Sequence, residues 1–99
     1  MNTFAALGDP IRQRIVELLA EGDREAGDLA AQFDVSRPAV SRHLRVLRDA
    51  GVVTSREDGR RRVYSLRTES LDEVGRWIAK YRSFWAQRLD ALEEHLTKA

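Results

Sequence analysis

The chain has 99 residues, of which 42% are hydrophobic and 33% are charged, proportions typical of a folded protein rather than a disordered one. It contains no cysteine, which excludes disulfide bonds and thiolate chemistry. No signal peptide and no apolar run of membrane-spanning length is recognisable, so the expected location is the cytoplasm. We expect one domain over residues 1–99, small enough to gain stability from oligomerisation.

The net charge of +1 hides an uneven distribution along the chain. Residues 1–35 carry three arginines against seven acidic residues, whereas residues 36–67 carry nine against three. Residues 68–99 are nearly balanced, with five basic and six acidic residues. All nine basic residues of the middle segment are arginine, which makes planar, bidentate contacts with phosphate and guanine. The distribution predicts a basic surface suited to a polyanionic partner.

The first predicted elements are helical. Asp9 and Pro10 form a helix start, with an acid at the cap and proline just inside. Apolar residues then repeat at helical spacing as far as Gly22, a typical stop. The apolar segment before this helix contains Phe4 and Leu7, and it is open to two interpretations: a frayed tail or a surface that packs against a partner subunit.

A helix-turn-helix is predicted after a polar connector at residues 23–27. Over residues 28–49, two short helices flank a tight turn, and each has its apolar residues on one face. Ser36 is placed to cap the second helix, and Pro38 falls in its first turn, where a missing N–H costs little. Gly51 is placed to end that helix in the left-handed conformation.

The second helix of this motif has two contrasting faces. Val40, Leu44 and Leu47 form an apolar stripe, and a turn of about 100° per residue leaves arginine, serine and small residues on the remaining surface. Such a surface fits the major groove of B-DNA, although an ordinary amphipathic helix with a solvated basic face is the alternative. The predicted DNA-contacting residues here are Ser36, Arg37, Pro38, Ala39, Ser41, Arg42, His43 and Arg45.

A β-hairpin is predicted next. Residues 52–57 and 60–66 are β-prone and are separated by Asp58 and Gly59, the pair favoured in two-residue type I′ turns. Arginines beside the tip of such a hairpin can straddle phosphates or enter the minor groove. An edge hairpin protected by charge against aggregation is the alternative, but the position after a recognition helix favours a DNA-binding wing. The three arginines are Arg60, Arg61 and Arg62.

The last predicted element is a long helix over about residues 71–97. Ser70 and Glu73 fit a capping box at its start, and apolar residues then recur close to a heptad repeat over roughly 39 Å of helix. This much apolar surface favours a twofold dimer; the alternative is a helix that bends at Gly75 and folds back over its own domain. The predicted dimer interface comprises Phe4, Leu7, Val74, Ile78, Tyr81, Trp85, Leu89 and Leu92.

Three stretches of the sequence carry a resemblance to a known family: FAALGDPIRQRIVELL, DLAAQFDVSRPAVSRHLRVLRDAGVV and GRRRVYSL. They resemble the ArsR/SmtB family of winged-helix transcriptional repressors over nearly the whole chain. The resemblance implies a mainly α fold with a small β-hairpin, in which dimerisation helices at both termini flank a winged helix-turn-helix. It also implies that a homodimer binds double-stranded DNA and represses transcription by occupying a promoter.

The chain departs from the metal-sensing members of that family. Their thiol-type metal sites use cysteines at positions that match Glu25 and Gly27 here. Other members bind metal through paired histidines and carboxylates of the C-terminal helix, where this chain has one histidine, His95. With His43 as the second and last histidine, no shell of three or four ligands is expected, so we expect no metal, no cofactor and no metal response. The resemblance suggests that His43 donates to a phosphate or base edge; capping of the core flank is the alternative.

Two other classes of function compete with this hypothesis. A winged helix can bind protein instead of DNA, but such a module would not need nine arginines and no lysine between Ser36 and Arg67. An enzyme is disfavoured, because the sequence shows no nucleophile with a base, no glycine-rich phosphate loop and no carboxylate pair tied to a histidine. The aromatic residues of the last helix could enclose an apolar effector, but such stripes are more often plain packing, and no effector is predicted.

Overall fold

The computed structural model describes residues 2–97, which form helices and a small antiparallel sheet. This architecture agrees with the predicted fold class. Within the described residues, no helix is long and apolar enough to cross a membrane. The elements are α1 (Thr3–Ala6), α2 (Pro10–Glu21), β1 (Arg24–Glu25), α3 (Ala26–Ala31), α4 (Arg37–Asp49), β2 (Val53–Asp58), β3 (Arg61–Leu66) and α5 (Thr68–Thr97).

Helix α1 is ordered by contacts within its own chain. The Asn2 side chain caps it by accepting a hydrogen bond from the backbone N–H of Ala5, at 2.8 Å. Ala6 is fully buried, and the Phe4 ring packs edge-on against Trp77 of α5, with 5.5 Å between ring centroids. The segment is therefore not a frayed tail, because it helps to build the core of its own chain.

Helix α2 begins and ends where the sequence predicts. The Asp9 carboxylate accepts hydrogen bonds from the backbone N–H groups of Ile11 and Arg12, at 2.8 and 3.2 Å. Pro10 is the first helical residue, and the helix ends before Gly22. An acid-capped start with proline just inside is therefore confirmed.

The predicted connector at residues 23–27 is wrong in part. It contains strand β1, which pairs antiparallel with β3 opposite Val63 and Tyr64, and helix α3 then begins at Ala26. A two-residue strand is too short to show an alternating pattern, so only its partner strand decides it. Because β3 lies between β1 and β2, it is the central strand, and both Val63 and Tyr64 are buried.

The tip of the hairpin differs from the prediction by one residue. Asp58 pairs with Arg61, so the two loop residues are Gly59 and Arg60 rather than Asp58 and Gly59. Gly59 has φ of 64°, and among the described residues only glycines have positive φ. Positive φ at the first loop position alone belongs to a type II′ turn, so the predicted type I′ turn is wrong. In this turn only the first loop position, Gly59, needs positive φ, which glycine adopts without strain.

The exit from α4 is a Schellman motif, which ends the helix as predicted. Gly51 has φ of 77°, and its N–H donates to the carbonyl of Arg48 at 3.0 Å. The N–H of Val52 donates to the carbonyl of Leu47 at 2.9 Å, and the Val52 side chain is buried. These bonds satisfy the last carbonyls of α4 and direct the chain into the hairpin.

Helix α5 begins at Thr68, so the predicted capping box is wrong. Ser70 lies inside the first turn, and its hydroxyl donates to the carbonyl of Gly51 at 2.5 Å, a tertiary bond that replaces the cap with Glu73. The helix then runs for 30 residues without folding back over the domain. Its large apolar side chains from Trp77 onward remain 44–68% exposed, and the molecule measures 68 × 27 × 24 Å.

A single apolar core holds α2, α3, α4 and the hairpin together. It includes the whole predicted stripe of α4, and this helix is therefore fixed by its back. Large side chains with less than 2% exposure are Ile15, Leu29, Leu44, Leu47, Val40, Val52 and Val53.

Candidate nucleic-acid interface

Helix α4 is built to present its outer face to a partner. The Ser36 hydroxyl accepts a hydrogen bond from the backbone N–H of Ala39 at 3.3 Å, and Pro38 lies in the first turn, as predicted. Burial of Val40, Leu44 and Leu47 orients the helix, which leaves the remaining surface toward solvent.

The arginines of α4 carry charge that no side chain of the described part of the chain neutralises. Arg37, Arg42, Arg45 and Arg48 are all exposed. Across residues 2–97, none of their four guanidinium groups forms a hydrogen bond or an ion pair. Unpaired guanidinium groups on one rigid helix are suited to phosphate oxygens and to guanine edges.

Four of the predicted site residues come together at one hollow of about 390 Å³. Its lining comes from α2 through Arg12 and from α4 through Ala39, Arg42, His43, Arg45, Val46 and Asp49. Arg12 did not feature among the predicted site residues. Its contact with His43 spans 31 positions in sequence, so no local pattern could have revealed it.

The His43 ring faces α2 rather than open solvent. Its Nδ1 lies 3.2 Å from a terminal nitrogen of Arg12 and 3.8 Å from Oδ1 of Asp9. Arg12 in turn donates through Nε to the carbonyl of Ala6 at the end of α1, at 2.6 Å. Of the two interpretations of His43, contact with the core flank is therefore present in the free protein.

Asp9 remains a charged neighbour of this histidine. Partial desolvation raises the pKa of Asp9, but hydrogen bonds from the backbone N–H groups of Arg12 and Ile11 outweigh that effect, together with the positive charge of Arg12. The pKa of Asp9 consequently lies below its ordinary value. The carboxylate caps α2 and faces the ring at the same time.

Arg37 is separated from the hollow beside His43. It lines another shallow hollow with Gly27, Ala30 and Ala31 of α3. Its guanidinium would lie only 3.3 Å from a side-chain carbon built at Gly27. The start of α4 therefore presents its arginine along α3.

The arginines of the wing differ from those of α4, because most of them have internal partners. Arg61 pairs with Glu25 of β1 at 2.9 Å, and Arg62 pairs with Glu57 on the opposite strand at 3.3 Å. Arg60 in the loop has no such partner within residues 2–97. All three line a hollow of about 260 Å³ at the hairpin tip.

A further ion pair ties the base of the wing to the segment before β1. Arg56 donates to Asp23 at 3.1 Å and to the hydroxyl of Ser65 at 3.0 Å. Hydrogen bonds from Ser65 and then from Arg56 hold the pKa of Asp23 below its ordinary value, against a smaller opposing effect of desolvation. Acidic residues of the predicted connector thus hold the wing in place.

The predicted dimer residues form a continuous apolar surface along α5 and α1. Leu7 and Val74 are half-buried, whereas Phe4 and the other five are exposed. Trp77, beside this surface, contacts Tyr81 with 4.2 Å between ring centroids, and the guanidinium of Arg88 lies 4.4 Å from the centroid of Phe84. Among residues 2–97, no group of three or more histidine, cysteine or acidic side chains could hold a metal ion.

A family model, curated relatives and a solved structure all match this chain to bacterial transcriptional regulators. A family model described as bacterial regulatory protein, arsR family, matches residues 9–55. The transcriptional repressor SdpR of Bacillus subtilis is 39% identical over 81% of this chain and 89% of its own length. The HTH-type transcriptional regulator Rv2034 of Mycobacterium tuberculosis is 42% identical over 91% and 88%, respectively. A crystal structure described as a possible transcriptional regulator for arsenical resistance superposes with a TM-score of 0.76 at 42% identity, covering 93% of each chain.

Proposed function

This chain belongs to the arsR family of bacterial regulatory proteins, and we propose that it represses transcription as a homodimer bound to an inverted repeat in promoter DNA. Named repressors among its relatives favour DNA binding over a module that binds only protein. Repression by occupancy requires no catalysis, and we assign none. We place residues 1–99 in one DNA-binding domain that acts on the genome in the cytoplasm.

The observation that carries the proposed dimer is the exposed apolar surface of α5. Helical geometry places its leucine, isoleucine, tyrosine and Trp85 side chains within an arc of about 80°, and Phe4 of α1 extends the same surface through its contact with Trp77. Monomeric proteins rarely leave an apolar surface this large in water. Pairing with a second copy buries it, since a twofold axis brings one surface against itself. The interface residues are Phe4, Leu7, Val74, Ile78, Tyr81, Trp85, Leu89 and Leu92.

The proposed DNA contacts divide into base recognition and backbone binding. Helix α4 enters the major groove, where Arg42 and Arg45 bind base edges. The wing binds the flanking backbone or minor groove through Arg60, Arg61 and Arg62. The remaining contacts of α4 come from Ser36, Arg37, Pro38, Ala39, Ser41 and His43.

Selection of bound fragments from random DNA tests the whole proposal at once. We expect an enriched palindromic sequence whose half-sites lie about 10 to 10.5 bp apart, one turn of B-DNA. Absence of any gel shift with mixed genomic DNA at low salt and micromolar protein would contradict DNA binding. Enrichment of a single, non-palindromic half-site would contradict the twofold dimer alone.

A charge placed on α5 tests the dimer separately. We expect Leu89→Glu to shift sedimentation equilibrium from dimer to monomer, because it buries an unpaired carboxylate in the interface. Gln87→Glu adds the same charge on the opposite face of this helix and should leave a dimer. Equal behaviour of the two variants would show that another surface pairs the subunits.

A further inference from the structure

We propose that Arg12 is a positioning residue for DNA binding, because it sets the hydrogen on the His43 ring so that Nε2 can donate to a backbone phosphate of double-stranded DNA. The contact between Nε2 of His43 and a phosphate rests on the proposed function. The arrangement of Arg12 and His43 belongs to the free protein and can be tested without DNA.

The hydrogen position follows from what each group can donate. A guanidinium carries only donors, so Nδ1 of His43, at 3.2 Å from Arg12, must accept and therefore carries no hydrogen. Asp9 favours the opposite state, with a hydrogen at Nδ1, but its oxygen lies at 3.8 Å, beyond hydrogen-bond distance. Because Arg12 is the nearer partner of Nδ1, we place the ring N–H at Nε2.

Arg12 is itself held by the end of α1. Its Nε donates to the carbonyl of Ala6 at 2.6 Å, and a terminal nitrogen reaches the carbonyl of Ala5 at 3.5 Å. These contacts fix the plane of the guanidinium, which leaves its other terminal nitrogen aimed at His43. The rigid fork of arginine makes this possible, whereas the single ammonium of lysine cannot bind all three partners in one plane.

The ring edge that remains free belongs to the proposed DNA-facing hollow. Nε2 lies across the ring from Nδ1, and His43 lines the hollow together with Arg42, Arg45 and the acidic Asp49. The two guanidinium groups outweigh the one carboxylate, and together with the N–H donor of His43 they suit an anionic oxygen. A contact with phosphate fixes the register of a helix on DNA but carries no sequence information.

Nuclear magnetic resonance of the imidazole nitrogens in the full chain tests the first step. At about pH 8, above the ordinary titration range of histidine, we expect a hydrogen at Nε2 and none at Nδ1 of His43. In Arg12→Met, Asp9 becomes the only partner of Nδ1, and the hydrogen should move there. Arg14→Met, on the exposed side of the same helix, should leave the ring unchanged. A hydrogen at Nδ1 in the wild type, or an unchanged ring in Arg12→Met, would overturn the proposal.

A pair of substitutions at His43 tests the second step. A glutamine amide reaches the place of Nε2, whereas an asparagine amide reaches only that of Nδ1. We expect His43→Asn to bind both operator and random DNA about tenfold more weakly, and His43→Gln to stay within about threefold of the wild type. Equal losses in the two variants, or a loss confined to the operator, would overturn the phosphate contact.

The two sets of measurements separate this inference from the proposed function. If the wild-type chain binds no DNA, the proposed function fails, while the ring spectra still decide the role of Arg12. If Arg12→Met does not fold, a hydrogen at Nδ1 in the wild-type spectrum still overturns the role of Arg12, and the two His43 variants still test the phosphate contact.

Discussion

The arginines of α4 and those of the wing are the same residue type in very different states. Arg42 and Arg45 have no internal partner within residues 2–97 and stand on a helix whose back is buried. Arg61 and Arg62 are also exposed, but each is paired with a glutamate. A guanidinium group without a partner can bind a DNA phosphate directly, whereas a paired one must first give up its carboxylate. The number of arginines in each region therefore does not determine its contribution to binding.

The largest expected effect comes from removing the support of α4. Leu44 is 2% exposed, and Leu44→Ala should lower the free energy of unfolding by about 2–5 kcal/mol, because it leaves a cavity under the helix. Arg45→Ala on the front should change it by less than about 0.5 kcal/mol. Chemical denaturation measures both, and a similar loss in the two variants would contradict a helix fixed only by its back.

Arg42→Ala should affect sequence discrimination. Loss of a bidentate contact with a base should cost about 1–3 kcal/mol on the operator and much less on random DNA. Titrations of both DNAs at one salt concentration measure the difference. Equal losses on the two DNAs would show that Arg42 binds the backbone and that the reading face lies elsewhere on α4.

Arg61→Ala should weaken binding to operator and random DNA alike. If Arg61 contacts one phosphate, the slope of log affinity against log salt concentration should fall by about 0.9. The loss should be smaller than for Arg42→Ala, since Arg61 gives up Glu25 when it binds. An unchanged salt slope would show that Arg61 keeps its internal partner on DNA.

The smallest effect is expected at that internal partner. Glu25→Gln frees Arg61 and should strengthen binding to both DNAs by less than about 1 kcal/mol, the usual range for an exposed ion pair. Asp28→Asn removes an exposed charge three residues away and serves as the matched control. The gain should exceed that of the control and should vanish in the Arg61→Ala background. An equal gain in affinity for Asp28→Asn would show that the effect comes from the change in net charge and not from the release of Arg61.

Strong local signals were enough to predict most of the fold. Three such signals are the helix caps at Asp9 and Ser36 and the left-handed Gly51. Each satisfies backbone groups only a few residues away, so a short stretch of sequence is enough to predict it. The capping box at Ser70 was also predicted from a short local pattern, but it is wrong. The carbonyl of Gly51, which no local pattern places nearby, takes its hydroxyl instead.

In the candidate site too, features encoded locally could be predicted, whereas features that depend on tertiary contacts could not. The arginine-rich face of α4 was predictable because helical periodicity alone separates it from the buried stripe. The pairing of Arg61 with Glu25 was not, because it depends on strand β1, which exists only through its hydrogen bonds to β3.

The sequence by itself determined the order of elements, the buried face of α4 and the apolar surface of α5, since spacing along the chain encodes each of them. Only the tertiary structure decided which charges are neutralised and that Arg12 links α1 to His43. Those contacts join residues far apart in sequence, and their distances are fixed by packing rather than by any repeating pattern.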